Sequence, residues 1–385
     1  MTRASCLLFL ISLISFNVWC QDQVRDTLTK KEIRAEKKAW KIENGRPMVN
    51  PLLGPAYTPE MGLTIAGGVM LSYKTNPKDS LLPRSSSPII FGVTTTGGIF
   101  ASSILSSYWL EDKLRIYGDF VYKNMPDNYY GVGYDKGFET PRSDSTTLYN
   151  RLWWWINPRF LWQFQPNWFA GLIFDANSTK VREPSQGVRE DEYYQAYGPD
   201  NRNIGIGFIA RYDSRDIPVN AWKGILVDLR ATFYSTALGG QNDYQVYQLD
   251  LRKYFQIKRP GQTFAFQFKT RMGLGNMPYG ELSQIGTPLD LRGYRWGQYR
   301  DKSILFVIGE YRHMFLKSNG ALSKHGAVAW VGGGSLGETP VDYHPWLPNV
   351  GIGYRFEVQP RMNLRLDIGL GRESIGFYFN FNEAF

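Results

Sequence analysis

The sequence is nearly free of cysteine and poor in histidine, with 2 Cys and 3 His in 385 residues. Cys6 and Cys20 both fall in the first twenty residues. Cleavage after Cys20 would remove every thiol, and with them disulfides and thiol catalysis. His313, His325 and His344 have no metal-ligand spacing with one another. No metal and no cofactor is therefore expected. Long apolar runs are missing as well. After residue 20 nothing approaches the ~18 residues a spanning helix needs. The longest run, Ala327 to Gly334, is rich in glycine. A helical membrane bundle is excluded. No phosphate loop occurs, and acidic pairs such as Asp191-Glu192 lie in loops without the surroundings catalysis needs. No catalytic residue is assigned, and an enzyme is not expected. Acidic residues are in deficit, 35 against 44 basic ones. The cations alternate with apolar residues and form no patch, so nucleic acid is not an expected partner. A cationic lumen and contacts with anionic lipid head groups explain the excess.

What is abundant points elsewhere. There are 24 Tyr, 23 Phe, 12 Trp and 39 Gly, yet mean hydropathy is only −0.34. A transmembrane β-barrel has this composition, because half of each strand faces a wet lumen. Residues 1–20 carry Arg3 and then the short apolar run Cys6–Phe16. They read as a secretory signal peptide. Cys20 leaves a second possibility open, acylation as a lipoprotein. Residues 21–49 form a basic leader. Thr29-Lys-Lys-Glu32 has capping-box spacing, which predicts a short helix over about 30–41. This leader is either a solvated periplasmic segment or a helix that lines the lumen.

From about residue 50 the hydrophobic period is two. Leu364, Leu366, Ile368 and Leu370 share one face, while Asn363, Arg365 and Asp367 share the other. Phe264, Phe266 and Phe268 alternate with Ala265, Gln267 and Lys269. Sixteen such segments can be counted between 50 and 385, the even number a single-chain bacterial barrel requires. The third is placed at 88–98 and the last at 374–385. The first, 50–58, is weakened by Pro51 and Pro55. Trp153–Trp155, Trp162, Trp168, Tyr193, Tyr194, Trp296, Trp330 and Trp346 lie near strand ends, where an interfacial aromatic girdle is expected. Phe377, Phe379, Phe381 and the terminal Phe385 are read as one face of the last strand. An alternating strand that ends on an aromatic residue is the form the assembly machinery recognises. The expectation is an all-β, antiparallel transmembrane barrel of about 16 strands over 50–385, in a Gram-negative outer membrane among its lipid and lipopolysaccharide.

Three stretches resemble one family. Leu291-Arg292-Gly293-Tyr294 precedes a strand containing Glu310-Tyr-Arg312. Arg211-Tyr-Asp213-Ser-Arg215-Asp216, followed by Pro218 and Gly224, is similar to that family's strand-turn-strand signature. Tyr57–Gly62 resembles its first hairpin. The family is the BamA/TamA-like, or bacterial surface antigen, superfamily. The resemblance implies that the tetrad tips a long loop folded into the lumen. It also implies that Arg292 meets an acid on the next strand, and parity makes Glu310 the choice. Buried guanidinium needs such a partner. The family's second anchor would fall at Trp330–Ser335, where serine stands in place of aspartate. Arg211, Asp213, Arg215 and Asp216 read as a charge network at a periplasmic turn. Members normally carry periplasmic POTRA domains, and residues 21–50 are too few for one, so a barrel-only member is expected. Three functions stay open: an accessory in outer-membrane protein assembly, a pore with a loop-plugged basic lumen, or an anchor for a periplasmic or surface partner. Other outer-membrane biogenesis proteins are the partners the first would imply.

Overall fold

The computed structural model describes residues 29–58, 61–79, 82–343 and 345–385. The expected signal peptide, both cysteines, the first part of the expected leader, His344 and the middle of the Tyr57–Gly62 hairpin lie outside the described residues.

The leader forms helix α1, Lys30–Glu43. Its start is set by a reciprocal capping box. The Glu32 amide donates to Thr29 Oγ1 at 3.3 Å, and the Thr29 amide donates to Glu32 Oε2 at 2.7 Å. Ile33 and Trp40 remain exposed on α1, so the helix buries no core of its own.

The rest is one closed sheet of sixteen antiparallel strands. In chain order they are β1 (Met48–Thr58), β2 (Gly62–Tyr73), β3 (Ser85–Thr94), β4 (Ile99–Trp109), β5 (Leu114–Asn128), β6 (Leu148–Gln165), β7 (Trp168–Arg182) and β8 (Asp200–Asp213). Then follow β9 (Gly224–Tyr234), β10 (Tyr244–Gln256), β11 (Gln262–Gly275), β12 (Ser303–Leu316), β13 (Leu322–Gly337), β14 (Leu347–Gln359), β15 (Met362–Leu370) and β16 (Ile375–Phe381). Each strand pairs with its neighbours in sequence, and β16 returns to β1. Every backbone donor in hydrocarbon must be satisfied inside the protein, and the closed sheet does this along continuous ladders everywhere but at the β1–β16 seam, where the described ladder is short.

Parity decides which side chains meet lipid. On β15, Asn363, Arg365 and Asp367 are buried, while Ile368 and Leu370 are exposed. On β11, Phe264 and Phe266 face out, and Ala265 and Gln267 face in. Exposed Phe91, Phe208, Val331 and Ile352 continue the outer apolar band. Polar residues therefore fill the inside, which inverts the usual arrangement of a globular core.

The connections differ in length at the two ends of the barrel. Residues 129–147, 183–199 and 276–302 are long, and the first two contain short helices. The opposite end has short turns such as 166–167 and 360–361. Long loops mark the outside of an outer-membrane barrel, so the start of β1 and the end of β16 lie on the periplasmic side.

Three expectations need correction. β3 begins at Ser85 and stops at Thr94, because 95–98 make the turn into β4. The aromatic set is not one girdle. Trp162, Trp168 and Trp346 are exposed, but Trp153 and Trp155 line an interior cavity, Trp330 is buried at 3%, and Trp296 belongs to the long loop. Phe385 does not share a face with Phe377 and Phe381. β16 ends at Phe381, Asn382 takes a left-handed φ of 64°, and the chain turns so that Phe385 is buried. Phe377 and Phe381 stay exposed on the outer face.

Candidate functional site

The loop 276–302 carries the tetrad. It opens as a two-residue ladder, Ser283–Gln284 against Arg300–Asp301. Asp290 then closes a tight turn by accepting from the amides of Gly286 and Thr287, at 3.0 and 2.8 Å. That turn presents Leu291–Tyr294, and Leu291, Arg292 and Tyr294 are all buried. The loop touches walls on different sides of the lumen. Arg300 Nη2 donates to the Asn128 carbonyl of β5 at 2.9 Å, while Arg292 reaches β12 and β15.

Arg292 sits between two carboxylates. Its Nη2 donates to Glu310 Oε2 and its Nη1 to Asp367 Oδ2, both at 2.6 Å. The guanidinium carbon lies 3.5 Å from the Trp330 ring centroid. Cation–π attraction is strongest in such a desolvated place. The carboxylates are shared further. Glu310 also accepts from Arg312 Nε at 2.7 Å. Asp367 accepts from Arg355 Nη1 at 2.6 Å and lies 3.5 Å from Arg365 Nε. Glu383, past the last strand, accepts from Arg355 Nε at 2.8 Å. Four guanidiniums, those of Arg292, Arg312, Arg355 and Arg365, thus face the three carboxylates of Glu310, Asp367 and Glu383.

Two glycines make this docking possible. Gly293 has φ 119°, and a Cβ there would stand 2.6 Å from the Gly371 amide. Its own amide donates to Tyr378 Oη at 2.9 Å. Gly369 faces the lumen on β15, and a Cβ there would stand 2.2 Å from the Arg292 carbonyl. Tyr294 wedges against the wall, donating to the Pro348 carbonyl at 2.6 Å.

The structure brings Arg292 to Glu310, as parity suggested. The second anchor is Asp367 on β15, two strands beyond the Trp330–Ser335 stretch in which the family's pattern had been sought. Ser335 is buried on β13. Asp367, Arg355 and Glu383 were missed as a group. For Asp367 and Arg355 the only sequence signal is charge on the lumen-facing parity of their segments; Glu383 has the outward parity of Phe381 and is brought inside by the turn at Asn382. Gly333–Gly337 also carries the Gly-x-Ser-x-Gly spacing of a nucleophile elbow. That elbow needs a strand-to-helix bend. Here the five residues lie within β13.

The turn charges separate into two groups. Arg211 pairs with Asp228 of β9 at 2.5 Å, and Arg215 chelates Asp213 with two bonds of 2.9 Å. Asp216 points elsewhere. It meets Arg361 at 2.9 Å, in the turn between β14 and β15. Arg361 stacks 3.5 Å from the Trp222 ring centroid and donates to the Asn220 carbonyl. The turn 214–223 thus reaches a turn far round the barrel. Asn220 and Ala221 are buried, and Ala221 packs in one cluster with Tyr254, Ala384 and Phe385. Arg312 Nη2 donates to the Phe385 carbonyl oxygen at 2.8 Å. The turn and the C-terminal tail together cover the periplasmic mouth.

This closure should depend on pH. Burial would raise the Asp216 carboxyl, but the Arg361 hydrogen bond and the Trp222 amide outweigh it and hold the group below its ordinary range. Burial opposes ionisation of Glu383 as well, and Arg355, then Arg312, overcome it. A depressed carboxylate stabilises the fold above its unfolded pKa and loses that contribution as pH falls through its lower folded value. The mouth should therefore loosen below about pH 4. In a planar bilayer, conductance should be small at pH 7 and should rise reversibly at pH 3. Asp216→Asn should show part of that rise already at pH 7. A flat response from 7 to 3 would contradict the closure.

An even-stranded closed barrel with an apolar outer band, a polar lumen and an arginine loop docked inside defines an integral outer-membrane barrel of the BamA-like class. The chain belongs to the Omp85 superfamily, whose domain matches residues 91–370. Solved structures agree on the fold. BamA from Haemophilus ducreyi lacking POTRA domains 1–3 is similar at 13% identity, with a TM-score of 0.59, over 88% of this chain and 70% of that one. CdiB from Escherichia coli is similar at 8% identity and TM-score 0.58, over 87% of this chain and 62% of that one. CdiB from Acinetobacter baumannii gives 11% identity and TM-score 0.50, over 87% and 59%. The chain thus spans less than two thirds of either CdiB. No curated protein matches it.

Proposed function

We propose that this barrel assists the insertion of other proteins into the outer membrane, and that its working element is the seam between β1 and β16. One observation carries the reading. Among the described residues, β1 pairs with β2 at eleven positions, Met48 to Thr58, but with β16 at a single one, Tyr57 opposite Phe379. A strand edge left largely unpaired is a template for another strand. Pro51 and Pro55 lack the donors a full ladder would use. Phe377, Phe379 and Phe381 would serve as the signal by which the chain is itself assembled. The covered periplasmic mouth weighs against a constitutively open pore.

Depletion of the chain with quantitative proteomics of the outer membrane tests the reading. Levels of other barrel proteins should fall, and assembly components should co-purify with the tagged chain. Unchanged levels together with no such partner would overturn it.

A further inference from the structure

A second site lies inside the barrel, and it goes beyond the insertion reading. A cavity of about 640 Å³ is lined by β5, β6, β7, β11 and the long loop, and Arg292 is not among its lining residues. That volume is in the range of small-molecule sites. Its chemistry is cationic on balance, with six basic side chains lining it against four acidic ones. Among the described residues, Lys123 and Lys269 face it with no carboxylate oxygen within 4.0 Å of either ammonium. Lys123 Nζ sits 4.4 Å from the Trp296 ring centroid and 5.4 Å from that of Trp153.

Four carboxylates line the cavity; three are engaged, and burial pushes the fourth, Glu281, toward its neutral form. Asp127 lies 3.6 Å from Arg151. Asp175 accepts from Trp155, Asn157 and Asn177, at 2.7 to 2.9 Å. Asp290 is bonded within its own turn. Three donors on the cavity wall have no partner among the described residues: Trp153 Nε1, Arg151 Nε and Asn380 Nδ2. Buried donors left unmet are uncommon, and several around one cavity ask for an acceptor-rich occupant. Trp153 and Trp155 add a flat face, their rings stacked at 6.2 Å and 12°.

We infer that this cavity binds an anionic saccharide, a sugar carrying carboxylate or phosphate. The indoles would take the sugar's apolar face. Lys123 and Lys269 would take its charge, and the three free donors would take hydroxyl and ring oxygens. Neither a bare phosphate nor a neutral sugar would use both halves of the site. Such a ligand could be a soluble acidic oligosaccharide or the core of lipopolysaccharide.

Isothermal titration calorimetry on the full chain in detergent tests this, using digalacturonate, deacylated lipopolysaccharide core oligosaccharide, maltose and inorganic phosphate. Binding of digalacturonate or core oligosaccharide is expected, with maltose and phosphate at least tenfold weaker. The tighter of the two charged sugars identifies the source. Lys123→Met with Lys269→Met should weaken binding at least tenfold while the heat-modifiable gel shift of the folded barrel is retained. Trp153→Leu gives an independent variant with the same expected direction. No binding of either charged sugar, maltose binding as tightly, or undiminished binding by folded variants would each overturn the inference. The titration does not depend on any insertion activity, so the two proposals fail separately.

Discussion

Asp367→Asn should destabilise the barrel by about 3–5 kcal/mol, the usual effect of removing one partner from a buried ionic cluster. Arg292→Ala should have a much smaller effect on the wall. The reason is the charge count. Four guanidiniums face three carboxylates, and all of these side chains are nearly or wholly buried. Removing Arg292 leaves three against three. Glu310 keeps Arg312 at 2.7 Å, and Asp367 keeps Arg355 at 2.6 Å. The wall stays neutral and only the loop loses its anchor. Removing the Asp367 charge leaves four guanidiniums against two carboxylates, with Arg292, Arg355 and Arg365 all deprived of the group they share. The check is the temperature at which the folded band disappears on a semi-native gel. The expected order is wild type, then Arg292→Ala, then Asp367→Asn well below. Arg365→Leu should partly rescue Asp367→Asn, because it removes the cation held at the longest distance, 3.5 Å. If Arg292→Ala proves the more damaging variant, the loop and not the wall cluster holds the barrel together.

Glu310 and Asp367 also show how far the sequence can be read. The strands were legible because lipid on one side and water on the other impose a period of two, and parity then put both acids inside. Glu310 could be singled out because it lies on the strand that directly follows the loop. Asp367 could not, because its role depends on where the loop lands across the lumen. That landing place is set by small residues on a remote strand, such as Gly369 beneath the Arg292 carbonyl. The aromatic residues failed for a related reason. Nearness to a strand end says nothing about side, and Trp330 shares the inward parity of Val328. Phe385 failed because alternation was carried past Asn382, where a single left-handed residue turns the chain inward. The closure of the mouth by Asp216 and Arg361 joins turns 145 residues apart, a distance no local pattern reports.

A disulfide across the β1–β16 seam should abolish the proposed insertion activity and leave the fold intact. Tyr57 and Phe379 are the opposed pair of that seam, and both lie on the outer face. Directly opposed residues on antiparallel strands have Cα separations of about 4.5–5.5 Å, within what a disulfide tolerates. Cys6 and Cys20 are the chain's own cysteines, both inside the expected signal peptide, so Tyr57→Cys with Phe379→Cys should pair cleanly. The control is a lock where the ladder is already continuous. Ile65 and Val93 are opposed on β2 and β3 and are both exposed. In cells depleted of the native chain, the Ile65–Val93 lock should restore outer-membrane protein levels. The Tyr57–Phe379 lock should fail to restore them until a reductant is added. This outcome follows from the ladder. Proline sits at a strand edge that has no partner to serve, and β1 is fully paired only toward β2. The β16 side is therefore the side that can part, and a covalent bond at its one described register pair removes the opening. Equal complementation by both locks would show that the seam stays shut in function, and the barrel would then act through its lumen or its surface.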